Sequence, residues 1–144
     1  TYMEELSKHL SILNEDFKIL QEKQILNLQN FKQQRSNTDI TAYLDQIAYR
    51  FMKLQETFGK ALRTYFNLQA ENIDTLSMID LVRLAEKRNL PITEEAWQKW
   101  RELRNVFAHE YSSHEEEIFD ALNEIKEYLP QWKELKEALE RRIQ

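Results

Sequence analysis

The apolar residues of this chain recur every three or four positions over long stretches, which is the period of an α-helix with one buried face. The first stripe has alternating steps of three and four and consists of Met3, Leu6, Leu10, Leu13, Phe17 and Leu20. The second stripe is the longest and consists of Ile40, Leu44, Ile47, Phe51, Leu54, Phe58, Ala61, Tyr65 and Leu68. A stripe this regular predicts an antiparallel helical neighbour.

Polar residues and a glycine interrupt these two stripes. Residues 30–37 break the helical pattern and are predicted to form a connection, after which Thr38 or Asp39 can cap the second helix. Gly59 lies inside the second stripe, where glycine costs about 1 kcal/mol relative to alanine. Either the close approach of another helix or a tolerated cost explains it. His9 falls among polar positions and is predicted to lie at the surface.

The second half of the chain predicts a short helix followed by a longer one. Asp74 is the predicted N-cap of the short helix, which residues 89–91 (Asn-Leu-Pro) end. Its apolar positions are Leu76, Ile79, Val82 and Ala85. Thr93 is the predicted N-cap of the longer helix. The apolar face of that helix consists of Trp97, Trp100, Leu103 and Phe107.

A final helix is predicted to begin just after Ser112 and Ser113. Either serine can form a capping box with the glutamate three residues later, Glu115 or Glu116. Pro130 is predicted to kink or restart this helix, because proline lacks a backbone N–H. The inward positions of the helix are Ile118, Leu122, Ile125, Leu129, Trp132, Leu135 and Leu139.

Together these patterns predict an all-α fold. We expect an antiparallel up-and-down helical bundle of four long helices plus a short one, forming a single domain over residues 1–144. The chain has one glycine and two prolines, which is few enough for long uninterrupted helices. A helical bundle by itself says nothing about function.

Composition narrows the possible functions. The absence of cysteine excludes disulfides, thiolate metal sites and cysteine nucleophiles, and is compatible with the cytoplasm, which is the expected location. No apolar run approaches the roughly 20 residues of a membrane span, and the first residues lack a signal-peptide pattern, so we expect no membrane association. The net charge of −5 disfavours a general nucleic-acid coat protein, although an enzyme can still hold RNA at one local site.

The stretch R-N-V-F-A-H-E-Y, residues 104–111, carries the candidate chemistry. Arg104 can hold a phosphate in a fixed fork geometry. His109 can exchange a proton near neutral pH. Tyr111 provides a phenol, which donates hydrogen bonds and can accept a transferred group. These are the tools for metal-free cleavage of RNA.

A less specific interpretation of these residues stays open, because Arg and His at a polar helix end are usually solvated or interact with the helix dipole. Three features favour a site: Asn105 directly follows Arg104, the motif closes a helix inside a bundle, and a capped helix comes next. A zinc site is disfavoured, because His109 and His114 are one residue too far apart for an H-E-x-x-H pair.

Other candidates for RNA contact are weaker. Trp97 and Trp100 could stack on bases, but their spacing favours packing in the core. Several basic residues of the two helices after residue 74 are also candidates, although a solvated helix face is the default interpretation. These residues are Arg83, Lys87, Arg88, Lys99 and Arg101.

The motif R-x4-H-x-Y at Arg104, His109 and Tyr111 resembles that of the HEPN superfamily, especially the HepT-type toxins and the nucleotidyltransferase substrate-binding proteins. The likeness covers most of the chain as architecture but only residues 104–111 as a sequence motif. It implies a homodimer whose two motifs face each other in a cleft and act as a metal-independent ribonuclease. No cofactor is expected. It also implies a minimal nucleotidyltransferase antitoxin, which transfers AMP to the motif tyrosine, here Tyr111.

Two hypotheses from different classes follow. In the first, a toxin cleaves RNA: His109 acts as general base or acid, Arg104 stabilises charge on phosphorus, and Asn105 orients the histidine or hydrogen-bonds the phosphate. In the second, the chain is a non-catalytic subunit of a nucleotidyltransferase complex. A net charge of −5 suits a protein partner better than it suits RNA. A structural bundle without a site is the third possibility. The acidic run at residues 114–117 would repel a phosphate backbone unless its carboxylates point away.

Overall fold

Six α-helices form the regular structure of residues 1–69, 72–108 and 114–143, which are the parts of the chain that the computed structural model describes. They are α1 (Tyr2–Glu22), α2 (Leu28–Gln34), α3 (Thr38–Leu68), α4 (Met78–Lys87), α5 (Glu94–Ala108) and α6 (Glu115–Ile143). These residues contain no β-strand, so the predicted all-α class is confirmed for them. None of the helices within the described ranges is both long and apolar enough to cross a membrane.

The four long helices alternate in direction along the chain. In α1 and α3, His9 lies opposite Arg50 and Asp16 lies opposite Gln46, so the two helices run antiparallel. Helix α6 also runs antiparallel to α1, with Lys136 bonded to Ser7 at one end and Lys126 to Gln21 at the other. Helix α5 runs antiparallel to α3, because Arg104 meets Glu56 while Trp97, two turns earlier, lies beside Gly59.

The predicted apolar stripes form the core. All positions of the first stripe are buried except Met3, which is half-buried. The second stripe is buried from Ile40 to Tyr65 with the exception of the half-buried Leu44, and only its last member, Leu68, is exposed. All seven predicted inward positions of α6 are buried. Helical periodicity therefore identified most of the core.

The structure corrects the interpretation of residues 30–37 as a plain connection. Helix α2 occupies most of this segment, because Phe31 is fully buried and its ring centroid lies 5.4 Å from that of Phe119 on α6. Over the described residues the bundle therefore has four long helices and two short ones. The N-cap of α3 is Asn37, whose side chain accepts a hydrogen bond from the backbone N–H of Asp39, and neither Thr38 nor Asp39 is the cap.

The predicted N-cap of α4 is wrong and that of α5 is confirmed. Helix α4 is capped by Ser77 and not by Asp74, because Ser77 and Asp80 form a capping box in which each side chain accepts from the backbone N–H of the other. The Ser77 hydroxyl also donates to Asp80 Oδ2 at 2.9 Å, and this bond, followed by the one from the Ser77 backbone N–H, lowers the pKa of Asp80. Thr93 was correctly predicted to cap α5, since its hydroxyl oxygen accepts from the N–H of Ala96 at 3.0 Å.

Helix α6 begins at Glu115, close to the predicted start. The two serines proposed to cap it, Ser112 and Ser113, lie outside the described residues. Helix α6 continues through Pro130 to Ile143, so the proline does not restart it.

A polar seam lies between α1 and α3. His9 is buried there, contrary to prediction, because it flanks the apolar stripe at the same heptad position as Asp16. Arg50 Nη1 lies 3.2 Å from His9 Nδ1, and burial followed by this cation lowers the pKa of His9. Gln46, in the orientation that satisfies its amide, donates to both carboxylate oxygens of Asp16 at 2.9 and 2.7 Å.

Burial, reinforced by Glu15 and opposed by Arg50, raises the pKa of Asp16 from 3.8 to about 6. A carboxyl whose folded-state pKa is raised contributes stability at low pH, and this contribution is lost as the pH rises through the folded-state value. The charged form of Asp16 is therefore a cost to the fold at neutral pH.

Asp16→Asn should remove that cost. The difference in unfolding free energy between Asp16→Asn and wild type should therefore grow, in favour of the variant, by about 1–3 kcal/mol from about pH 4 to about pH 8. One pKa unit corresponds to about 1.4 kcal/mol. Denaturant unfolding at both pH values measures the change. The exposed Asp120→Asn is the matched control and should show no such trend. An equal difference at both pH values would contradict the buried-carboxylate account.

Candidate functional site

A groove of about 560 Å³ lies between α3, α5 and the start of α4. Four cationic side chains and one carboxylate surround it, in a protein whose net charge is −5. We call it the basic groove, and its charged residues are Lys60, Arg63, Arg101, Arg104 and Glu56. The motif residue Arg104 is thus part of a local concentration of positive charge.

Helical periodicity explains why these side chains converge. On α5 the groove is lined at positions 97, 101 and 104, which are separated by four and three residues and share one face of the helix. On α3 it is lined at positions 55, 56, 59, 60 and 63, which also form one face. Because α3 and α5 pack together, the two faces form opposite walls.

The floor of the groove is apolar. Met78 and Ile79 of α4 and Trp97 of α5 line it. Gly59 lets Met78 approach α3, because a Cβ atom at this glycine would lie 3.1 Å from the Met78 sulfur. Its nearest neighbours are side-chain atoms of Met78 and Trp97, so the glycine leaves room for side chains and the choice between the two explanations stays open.

Arg104 is held by an ion pair across the groove. Its Nη2 atom donates to Glu56 Oε1 at 3.4 Å, and the two side chains are 39% and 35% exposed. The second carboxylate oxygen of Glu56 accepts from Lys53 Nζ at 3.5 Å. Arg104 therefore has a fixed position, while several of its five N–H donors remain available for a ligand.

The other three cationic side chains remain largely available to contact an anionic ligand. Arg63 uses one nitrogen to donate to the Leu76 carbonyl at 3.3 Å, which ties it to the segment leading into α4. Lys60 and Arg101 are exposed, and within the described parts of the chain neither forms an ion pair. Glu56 is the one carboxylate that lines the groove among the described residues.

Gln55 adds a buried polar group to this site. It lines the groove and is only 5% exposed, and its side-chain oxygen has no hydrogen-bond partner within the described ranges. A buried acceptor without a donor costs about 1–3 kcal/mol. A ligand that supplies a donor would remove this cost.

The predicted site residues are only partly located. Asn105 is exposed and does not line the basic groove, so the structure does not bring it to Arg104's side. His109 and Tyr111 lie outside the described residues. Helix α5 ends at Ala108, immediately before them.

The other residues predicted as candidates for RNA contact differ in where the structure places them. Trp97 and Trp100 are buried as predicted. Arg83 makes two bonds of 2.9 Å to Glu94, and Lys99 pairs with Glu124 at 3.3 Å, so both are engaged in linking helices. Arg101 alone of the five predicted basic candidates lines the groove.

The acidic run after the motif does not line the groove. Residues 115–117 form the exposed first turn of α6. Glu116 accepts from Lys32 of α2 at 2.9 Å, and this contact lowers the pKa of Glu116. The concern that this run would repel a phosphate is therefore removed for the basic groove.

A larger depression of about 1020 Å³ lies between α5 and α6. Its charged lining consists of Glu94, Glu95, Glu102 and the paired Lys99. This mostly acidic surface suits an anion less well than the basic groove does. Across the described residues, no group of three or more His, Asp or Glu side chains is placed to hold a metal ion.

Comparisons of the chain with protein-family models, with curated proteins and with solved structures find no match.

Lys60, Arg63 and Gln55 were missed by sequence reasoning. They lie 41 to 49 residues before Arg104 along the chain, and as polar positions of α3 they are by default interpreted as part of a solvated face. Only the packing of α3 against α5 places them opposite Arg101 and Arg104.

Arg104→Ala should leave the fold intact. Partly exposed ion pairs contribute little, so its unfolding free energy should fall by less than about 1 kcal/mol. Trp100→Ala, in the core, should cost about 3–5 kcal/mol. Denaturant unfolding compares the two variants. A loss for Arg104→Ala as large as that for Trp100→Ala would make Arg104 a structural residue.

Proposed function

We propose that this protein is a HEPN-type toxin that acts as a metal-independent endoribonuclease. The observation that carries the proposal is the position of Arg104, on the wall of a basic groove in an otherwise acidic protein and five residues before His109. This groove provides local positive charge for RNA in a protein whose net charge of −5 disfavours general nucleic-acid binding. The R-x4-H-x-Y motif supplies the resemblance to the superfamily.

The proposed reaction is an attack of a ribose 2′-hydroxyl on the adjacent phosphorus. The bond from phosphorus to the 5′ oxygen breaks, and a 2′,3′-cyclic phosphate forms. His109 removes the proton from the 2′-hydroxyl or protonates the leaving oxygen. Arg104 stabilises the negative charge that builds on the phosphoryl oxygens. Asn105 lies outside the basic groove, so its proposed role is to orient the histidine.

One histidine cannot easily act at both ends of this reaction at once. A homodimer with two-fold symmetry supplies the second, because such an interface brings each motif near its copy. The proposal therefore includes a homodimer with its two motifs in a shared cleft.

The proposed regulator is a minimal nucleotidyltransferase antitoxin. The Tyr111 oxygen attacks the α-phosphorus of ATP, a tyrosine–AMP bond forms, and pyrophosphate leaves. The phenol becomes competent for this attack once the partner positions and deprotonates it. The added AMP places bulk and negative charge where an RNA phosphate must lie.

A second candidate function is a non-catalytic subunit of a nucleotidyltransferase complex. The ion pair between Arg104 and Glu56 favours it, because it already occupies part of the guanidinium. In that case the basic groove would hold a nucleotide or an acidic loop of the partner. Ribonuclease activity of the purified protein separates the two functions.

His109→Ala and Arg104→Ala should each reduce RNA cleavage by about 100-fold or more, the range expected for loss of an acid–base group or a charge-stabilising donor. Wild-type cleavage should persist in EDTA. Gel analysis of a labelled RNA incubated with each purified protein measures this. Lys133→Gln, on the exposed face of α6, is the control and should cleave normally.

Cleavage by His109→Ala at the wild-type rate would reject the assignment. Sedimentation of the same preparations tests the dimer. A wild-type protein that is active as a monomer at tens of micromolar would contradict the shared cleft.

Tyr111→Phe should escape modification and keep at least part of the nuclease activity, because the phenol oxygen is the acceptor of AMP and not the cleaving group. Mass spectrometry after co-expression with the nucleotidyltransferase should locate a single AMP on Tyr111 in the wild type. Tyr43→Phe provides a matched control at another tyrosine and should still be modified. AMP on a different residue, or none on a neutralised protein, would favour inhibition by binding alone.

A further inference from the structure

The basic groove extends well beyond the motif. It reaches from Arg104 and Arg101 on α5 across to Lys60 and Arg63 on α3. One arginine is enough to hold a scissile phosphate, so the remaining three cations need another explanation. Among the described residues that line the groove, Glu56 is the one carboxylate, and it pairs with Arg104 and not with these three cations.

We propose that the basic groove binds an unpaired nucleotide of the RNA strand, next to the phosphate that is cleaved. Lys60, Arg63 and Arg101 contact its phosphate groups, and its base lies against the apolar floor. This assignment rests on the proposed ribonuclease function, since it identifies the substrate as single-stranded RNA and the residues that select it.

The dimensions and lining of the groove support a nucleotide. Its volume of about 560 Å³ lies within the range of roughly 300–1,000 Å³ that is usual for sites of small organic ligands. Apolar contact with the half-buried Met78 and Ile79 suits the face of a base. A base stacked within a duplex could not enter such a groove, because only unpaired bases can be splayed out and bound individually.

Gln55 provides the polar contact that the floor otherwise lacks. Its buried side-chain oxygen is an acceptor without a donor in the described residues. The exocyclic amine of adenine, guanine or cytosine, or a ribose hydroxyl, can supply that donor once the Gln55 side chain turns its oxygen towards the groove. An acidic peptide would satisfy the cations, but the apolar lining beside an unpaired amide favours a base.

Glu56 limits the affinity of the groove. Its carboxylate pairs with Arg104 at 3.4 Å and repels any phosphate that approaches. This repulsion predicts opposite results for the two kinds of charge removal: stronger RNA binding when Glu56 loses its charge and weaker binding when the cations lose theirs.

The test uses the catalytically impaired His109→Ala protein and a fluorescently labelled, single-stranded RNA of mixed sequence. In this background, Lys60→Gln combined with Arg101→Gln should weaken binding by about tenfold or more. Glu56→Gln should strengthen it about two- to fivefold. Lys133→Gln removes the same charge outside the groove and should change little. Fluorescence anisotropy gives the dissociation constants.

Salt dependence separates phosphate contact from a loss of structure. Each phosphate contact on single-stranded nucleic acid contributes about 0.7 to the slope of log K against log salt. The double variant should therefore lower this slope by about 1.4 while its thermal unfolding stays that of the parent. A misfolded variant would change both quantities.

Gln55→Leu tests the base contact. It removes the unpaired amide, so the protein should be as stable as the parent or more so, and yet RNA binding should weaken. The protein should bind the single-stranded RNA but not the same RNA annealed to its complement.

Three results would each overturn the inference: wild-type-like affinity of the double variant, an unchanged salt slope, or equal binding of duplex RNA. So would a result in which the charge changes spare RNA binding and instead weaken binding of the nucleotidyltransferase. The proposed function is judged separately. If the groove variants lose RNA binding as expected but the wild-type protein never cleaves RNA, the nucleotide site stands and the ribonuclease proposal fails.

Discussion

The burial of Trp100 determines how α5 is placed in the bundle. This side chain is fully buried, and its ring centroid lies 5.6 to 5.8 Å from those of Trp97, Tyr128 and Trp132. Its indole nitrogen has no hydrogen-bond partner among the described residues, at a cost of about 1–3 kcal/mol. Burial of a tryptophan and its aromatic contacts outweigh this cost. Because Trp100 points into the core, the neighbouring side of α5, which carries Arg104, faces α3.

That orientation concentrates charge in an otherwise acidic protein. Three of its basic residues outside the motif, Lys60, Arg63 and Arg101, join Arg104 around an apolar floor, while the carboxylates of residues 115–117 lie elsewhere. Clefts with one sign of charge and walls of low polarity focus the field and attract oppositely charged ligands. Net charge alone was therefore a poor guide to what this surface can bind, because the sequence total averages over surfaces that a ligand never contacts together.

Local patterns were reliable where a single helix face decided the outcome. The stripes of α1, α3 and α6 and the cap at Thr93 followed from periodicity and from hydrogen-bond chemistry within a few residues. Predictions failed where a distant contact decided. Residues 30–37 are mostly polar, but Phe31 packs against Phe119 of α6, and most of the segment is helical. His9 looks solvated, but the pairing of α1 with α3 buries it beside Arg50.

The same division applies to the candidate site. The sequence by itself determined an all-helical chain and named Arg104 as the centre of interest, because both depend on residues within a few turns of each other. Only the tertiary structure decided that Lys60, Arg63 and Gln55 share a groove with it and that Asn105 does not. The physical reason is that the rotation of α5 against α3 is set by core packing around Trp100, and no local pattern encodes which two polar faces that packing brings together.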